Sequence, residues 1–459
     1  MIASAGPLGA RPPKQLTFPP IEFKIPHVDT LQFENGLHGY LLEDHEIPVI
    51  DITIRFKTGF PPDDKVGLDE ITGWALRNGG TKNFSKETLD QDLEFVGASI
   101  ESNSGPYMGE VHANFLTKDT DKVLGMLAEV LADPLFDPAK IELKKKSMIE
   151  DIRRKADDPE RLGYREFAKV IYRDHPAGRE ATIATVTSVT PEDAAAYWAR
   201  CGHPNNAVIG ISGDITSQEA LNKLNQYLAI WKPGGEAPVF PEMNYENVPS
   251  VNYVYKDLNQ AYIWVGHMGL NSSNPDLPAA NLMDYILGSG SFSSWIINRV
   301  RTEEGLAYNA GSDLGSSPWG YGMFTAYSQT RNDAAMRALG LIIELITKMK
   351  DQGPSEEEVT SARDAFVNRQ VFEYETPSRV ISRLTWFDIT GLPLDTMERE
   401  FKAYQSATLE DVRKAGGLYL HPDGLTIVVV GNADQFDRPL SDFGKVNTIE
   451  IKKEEVPAE

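Results

Sequence analysis

A single cysteine, Cys201, stands in 459 residues, so no disulfide can form within the chain. The histidines lie at 27, 38, 45, 112, 175, 203, 267 and 421, and no two are three or four apart. That spacing excludes a pair of imidazoles on one helical turn, and one cysteine cannot build a thiolate site. Long apolar runs are missing too. Typical ones, LTIVVVG (425–431) and LGLIIELI (339–346), fall well short of the roughly 20 residues a membrane-spanning helix needs. Basic charge is in deficit: 45 Lys and Arg face 67 Asp and Glu, for a net charge of -22. A phosphate backbone needs the opposite sign, so nucleic acid is not an expected partner. A solvated acidic surface accounts for this charge, with a chamber favouring basic peptides as the functional alternative. There is no P-loop, no GxGxxG after a strand and no GxSxG elbow. The opening MIASAGPLGARPPKQ has no apolar core of the secretory kind. Either the protein is cytosolic or its leader is absent from the sequence.

What is present is a globular composition, 41% hydrophobic and 24% charged, long enough for at least two packed domains. Two segments match without a gap at an offset of 218: SVTPEDAAAYWARCGHPNNAVIGISGD (188–214) and SATLEDVRKAGGLYLHPDGLTIVVVGN (406–432). Thr190 and Thr408 read as helix N-caps, each followed three residues on by an Asp that can reach back. HPNN and HPDG are turns, which makes His203 and His421 turn residues, and AVIGIS and LTIVVV are core strands. Cys201, at the end of the first of these helices, reads as a small packing residue.

Periodicity predicts strand over 31–44, broken by a turn at Asn35-Gly36, a strand at 49–59 and a strand pair over 98–116 in the first half, with helices at 67–79, 85–96, 118–132, 138–156 and 159–172. In the second half it predicts strands at 250–267, 306–314 and 319–328, with helices at 275–288, 292–303, 331–351 and 355–373. The expected architecture is α+β: two homologous α/β-sandwich domains joined by a linker and forming half of a clamshell. The expected boundaries are an N-terminal arm (1–27), a first domain (28–231), a Pro/Gly-rich linker (232–250), a second domain (251–445) and a charged tail (446–459).

Two stretches bear on chemistry. VGLDEITGWALRNGGT (66–81) is an amphipathic helix that sets Glu70 and Trp74 four apart, on one face. LGSGSFSSWIINRVRTEEGLAYNAGS (287–312) runs from a small-residue loop through a helix to a strand. A tight turn there can bring Arg301 and Tyr308 together as a donor pair for a carbonyl or oxyanion. Read singly, Arg at a helix C-terminus and Tyr in a strand are ordinary.

Over roughly 28–440 the chain resembles the insulinase/pitrilysin-like zinc peptidases, the inverzincins, which include mitochondrial processing peptidase. SFSSWIINRVRTEEGLAY is similar to that family's second-half signature, a loop of small residues before R-x6-Y. Active members carry H-x-x-E-H on a helix introduced by Gly-Leu, with a Glu 77 residues beyond the second His as third zinc ligand. Anchored on Gly67-Leu68, the first His falls on Glu70, the Glu base on Gly73, the second His on Trp74 and the third ligand on Asp151. The resemblance thus implies a degenerate zinc site in which Trp74 fills the space of the metal. It implies no metal in this chain and zinc in a homologous partner chain, forming a heterodimer. Arg301 and Tyr308 match the Arg/Tyr pair, which acts in trans on the substrate carbonyl and transition state. The chain is expected to be inactive alone and part of a metalloendopeptidase when paired, with peptide or unfolded polypeptide as substrate. The alternative is an inert structural or peptide-binding protein of the same fold. ASIESN (98–103), counterpart of the strand to which the family adds its substrate, is expected to be an ordinary solvated edge. Family habit suggests the periplasm, with the cytoplasm as alternative.

Overall fold

The computed structural model describes residues 26–451. The expected arm, apart from its last two residues, and most of the expected tail lie outside the described residues. The first half contains β1 (Asp29–Gln32), β2 (His38–Glu43), β3 (Val49–Lys57), α1 (Leu68–Asn78), α2 (Lys86–Val96), β4 (Ser99–Ser104), β5 (Met108–Leu116), α3 (Thr120–Ala132), α4 (Pro138–Arg154), α5 (Pro159–Tyr172), α6 (Ile183–Ser188), α7 (Pro191–Cys201), β6 (Ala207–Gly213) and α8 (Ser217–Tyr227). The second contains β7 (Ser250–Tyr255), β8 (Gln260–Met268), β9 (Leu270–Asn271), α9 (Leu277–Asp284), β10 (Ala307–Leu314), β11 (Ser316–Ser317), β12 (Met323–Arg331), α10 (Ala335–Asp351), α11 (Glu356–Glu373), α12 (Pro377–Thr390), α13 (Thr396–Ser406), α14 (Leu409–Tyr419), β13 (Thr426–Gly431) and β14 (Val446–Thr448).

Each half builds a six-stranded mixed sheet in the same order, β1-β2-β6-β3-β5-β4 and β14-β7-β13-β8-β12-β10. Only the outermost strands differ: β1 runs antiparallel to β2, whereas β14 runs parallel to β7. The repeat read from the sequence extends well beyond its two matched segments. Helices α4, α5 and α7 begin at 138, 159 and 191, and α11, α12 and α14 at 356, 377 and 409, all at the offset of 218. Both expected caps form. The hydroxyls of Thr190 and Thr408 accept from the N–H of Asp193 and Asp411, each at 3.2 Å, and the two carboxylates reach back to the threonine N–H groups. Thr190→Ala and Thr408→Ala should each lower stability by about 1 kcal/mol in urea denaturation, since each removes one acceptor from a helix start.

The expected strand 250–267 is interrupted at 256–259 and forms two, β7 parallel and β8 antiparallel to β13. Strand β12 starts at Met323 rather than 319, because 319–322 turn the hairpin; α10 starts at Ala335, after a short 3-10 turn. Helices α12 and α13 are additional to those that periodicity predicts.

The two halves do not pack independently. Helix α5, from the first half, lies on the second sheet: Phe167 and Ile171 bury against Met268, Met323 and Val428, and Leu162 against Val254 and Val430. Helix α12, its repeat counterpart, lies on the first sheet, where Val380, Ile381, Leu384 and Phe387 bury against Tyr40, Leu42 and Val208. Two glycines make these approaches possible. A Cβ at Gly163 would stand 2.5 Å from Trp264 Nε1, and one at Gly210 would stand 2.4 Å from Ile381 Cγ2. Asp388 on α12 accepts from Tyr40 at 2.7 Å and lies 2.9 Å from His38 Nε2, while Arg55 donates to Thr385 at 2.8 Å. At the hairpin tips Tyr107 stacks on Trp319, centroids 5.1 Å apart, and Phe240 of the linker packs against both rings.

Candidate functional site

Helix α1 begins after Gly67, whose φ of 103° lets the chain turn sharply into it. Asp69 is buried there, and burial pushes its carboxyl up to about 6. Glu70 points outward and pairs with Lys144 of α4 at 2.7 Å. Asp151, also exposed on α4, lines the same cavity of about 570 Å³ as Glu70. Arg154, Lys155, Arg161 and Arg165 line it as well. Trp74 is half-buried against the first core and lines no part of that cavity.

Gly73 is set by contact. A Cβ there would stand 2.2 Å from the backbone nitrogen of Ser104 and 2.4 Å from its Cβ. The Gly73 carbonyl accepts from Ser102 Oγ at 2.7 Å, and Arg77 Nε donates to the Ile100 carbonyl at 3.1 Å. So α1 lies directly along the edge strand β4. The expected solvated edge is open on its side-chain face, at Glu101 and Asn103, while on its rim Arg77 of α1 takes the Ile100 carbonyl and Gly73 packs against Ser104. In the second half a glycine likewise lets a turn pack on the edge strand: a Cβ at Gly288 would stand 2.4 Å from the nitrogen of Ser312 on β10.

These residues do not fit zinc. The two carboxylates bring no imidazole, Glu70 is engaged by Lys144, and the other two acids of the cavity, Asp158 and Glu180, are paired with Arg161 and with Lys155 and Arg165. Where a general base would stand, Ser104 leaves no room for a side chain. Among the described residues no group of three or more His, Cys, Asp and Glu is placed to hold a metal ion.

The second stretch does converge. The expected helix 275–288 is α only to Asp284 and continues as a π turn over Tyr285–Ser289. The expected helix 292–303 is π-helical over Ile297–Glu303. Such wide turns are uncommon and recur at functional sites. Gly305, at φ 62°, then reverses the chain into β10. Tyr308 falls where the β10–β12 register shifts between Ala307 and Asn309, so a bulge sets its direction. Arg301 Cζ lies 5.7 Å from the centre of the Tyr308 ring and 5.0 Å from that of Phe292. Both rings are open to solvent, Tyr308 at 75% and Phe292 at 63%. Among the described residues no carboxylate pairs with Arg301. Glu303 and Glu304, in the same turn, are held by Arg299 at 2.8 and 3.0 Å, and Arg337 also takes Glu304. Phe292 is not among the residues singled out from the sequence. Its signal is there, as the one aromatic between the serines of SFSS ahead of the arginine.

The sequence profile of the insulinase family (peptidase family M16) matches residues 76–184, and that of the peptidase M16 inactive domain matches 188–366. The chain belongs to the M16 family. It is a member without H-x-x-E-H on its first-half helix. It is 23% identical to a Helicobacter pylori protein described as the non-peptidase homolog YmxG, over 85% of this chain and 90% of that one. It superposes on the M16 inactive domain of Pseudomonas fluorescens with a TM-score of 0.81 and 23% identity, covering 88% of this chain and 98% of that one. It also superposes on the periplasmic protease PqqL of Escherichia coli, with a TM-score of 0.73 and 15% identity, over 91% of this chain but 48% of that one. As an M16 chain it thus has the two-domain fold, and no described helix is long and apolar enough to cross a membrane.

Proposed function

We propose that this chain is the non-catalytic subunit of a heterodimeric zinc endopeptidase, supplying Arg301, Tyr308 and half of the chamber wall to a zinc-bearing homologous partner. The observation that carries the reading is a contrast within one chain. The zinc positions have become Glu70, Gly73, Trp74 and Asp151, the third of them half-buried in packing and the second closed by Ser104. Arg301 and Tyr308 remain together, exposed and free of acidic partners among the described residues.

In this reading the metal and its activated water belong to the partner. Tyr308 donates a hydrogen bond to the carbonyl under attack, a bond that strengthens as the oxygen becomes anionic. Arg301 fixes a neighbouring group of the same peptide. The substrate is a peptide or unfolded segment. That one unit of this fold corresponds to about half of PqqL supports a shell completed by a second unit. The same likeness supports the periplasm as the compartment.

The test is to purify the chain alone and mixed with an H-x-x-E-H chain of similar length from the same organism. Metal analysis of the isolated chain is expected to find no stoichiometric zinc. Peptide hydrolysis is expected only in the mixture. Hydrolysis by the isolated chain, or a zinc chain equally active without it, would overturn the proposal.

A further inference from the structure

We propose that Arg301 is a carboxylate-binding site, taking a carboxylate of the peptide substrate. The inference rests on the functional reading above and names the substrate class of the same site. Its ground is how the surroundings of Arg301 are arranged. The chain carries 67 acidic residues, and two of them, Glu303 and Glu304, are in the same turn as Arg301. Arg299 holds both, at 2.8 and 3.0 Å, and Arg337 reaches Glu304 from α10. Those pairs occupy the two acids that follow Arg301 in its own turn, and among the described residues no carboxylate forms an ion pair with its guanidinium.

The rings of Phe292 and Tyr308 lie within cation–π reach of that guanidinium, at 5.0 and 5.7 Å, which favours this position before any ligand arrives. Less ordering is then lost on binding. A backbone carbonyl would fill only part of the fork and leave the charge uncompensated. A carboxylate takes two parallel N–H groups and neutralises it. The Tyr308 phenol brings a neutral donor to the same exposed stack. Phe292 is the positioning residue of this arrangement. The carboxylate can be a peptide C-terminus or an Asp or Glu side chain.

The experiment uses the full chain, 15N-labelled, with the Nε–Hε signal of Arg301 assigned by its loss in Arg301→Lys. Peptides of about ten residues, built from Ala, Ser and Gln, are titrated in matched forms. One is neutral with an amidated C-terminus, one has a free C-terminus, and one is amidated with an internal Asp. At least one carboxylate form is expected to saturate the Arg301 signal about tenfold more tightly than the neutral form, and which one does so identifies the source. Phe292→Leu is expected to weaken that binding by about two- to fivefold and Phe292→Tyr to restore it. Equal binding of neutral and acidic forms, or no response to either acid, overturns the proposal. If neutral and acidic peptides bind alike while Arg301→Ala still slows the mixed peptidase, the carboxylate preference fails and the donor role stands. If acidic peptides bind through Arg301 while Arg301→Ala leaves the mixed peptidase unchanged, the role in hydrolysis fails instead.

Discussion

Gly73→Glu is expected to cost about 3 kcal/mol or more of stability and to bring no zinc. The substitution returns the family's acid to its helix position, so a reader of the motif alone would expect a step toward activity. The contact argues otherwise. The first added carbon would meet the Ser104 backbone at 2.2 Å, and backbone in a paired strand cannot swing aside as a side-chain tip can. A charge placed there would also lose water without gaining a cation. Gly73→Ala separates the two effects. Within a helix this exchange ordinarily stabilises by about 1 kcal/mol; here it is expected to destabilise by about 1–3 kcal/mol through overpacking. Urea denaturation gives the sign. A stabilised alanine variant, or stoichiometric zinc in Glu70→His/Gly73→Glu/Trp74→His, would mean that the edge strand yields and the site is merely unfilled.

Phe167→Ala is expected to cost about 3–5 kcal/mol and to loosen the half of the molecule that does not contain it. Phe167 belongs to the first half by sequence, yet its ring is fully buried against Met268, Met323 and Val428 of the second. Phe387→Ala on α12 is expected to do the converse, loosening β2 and β6 of the first sheet. Because each half lends a helix to the other, unfolding is expected as one transition. Hydrogen exchange reads this directly: amides of β8 and β13 should lose protection in Phe167→Ala together with those of α5. Protection unchanged in the second sheet, or two separate transitions, would mean that the halves are stable units joined only by their linker.

The repeat that governs this interlock is legible in the sequence, but not its consequence. Thr190 and Thr408 announce two equivalent helix starts because capping is local chemistry. The same offset also relates Pro159, Arg161 and Arg165 to Pro377, Arg379 and Arg383, which would have pointed to α12 as the counterpart of α5. That each of these helices covers the other half's sheet depends on Gly163 facing Trp264 and Gly210 facing Ile381, contacts more than a hundred residues apart in sequence. The candidate site divides in the same way. Loss of the zinc residues in GLDEITGW and the choice of Arg301 and Tyr308 both come from the family resemblance, since read singly an Arg at a helix end and a Tyr in a strand are ordinary. The reason for Gly73 lies in Ser104, and the π turns have no distinct periodicity, so neither is visible before the chain folds. Phe292 shows only as an aromatic among serines until Arg301 is seen against its ring.

In the proposed complex Arg301 and Tyr308 act in trans on a partner's substrate. The most direct measurement is the kcat of peptide hydrolysis by the mixed pair, with this chain as wild type, as Tyr308→Phe and as Arg301→Ala/Tyr308→Phe. The affinity between the two chains is measured alongside. Loss of one oxyanion donor predicts a fall in kcat of about a hundredfold for Tyr308→Phe, a larger fall for the double variant, and an unchanged subunit affinity. A kcat equal to wild type in the double variant, with the complex intact, would contradict the account and leave this chain as an inert wall of the chamber.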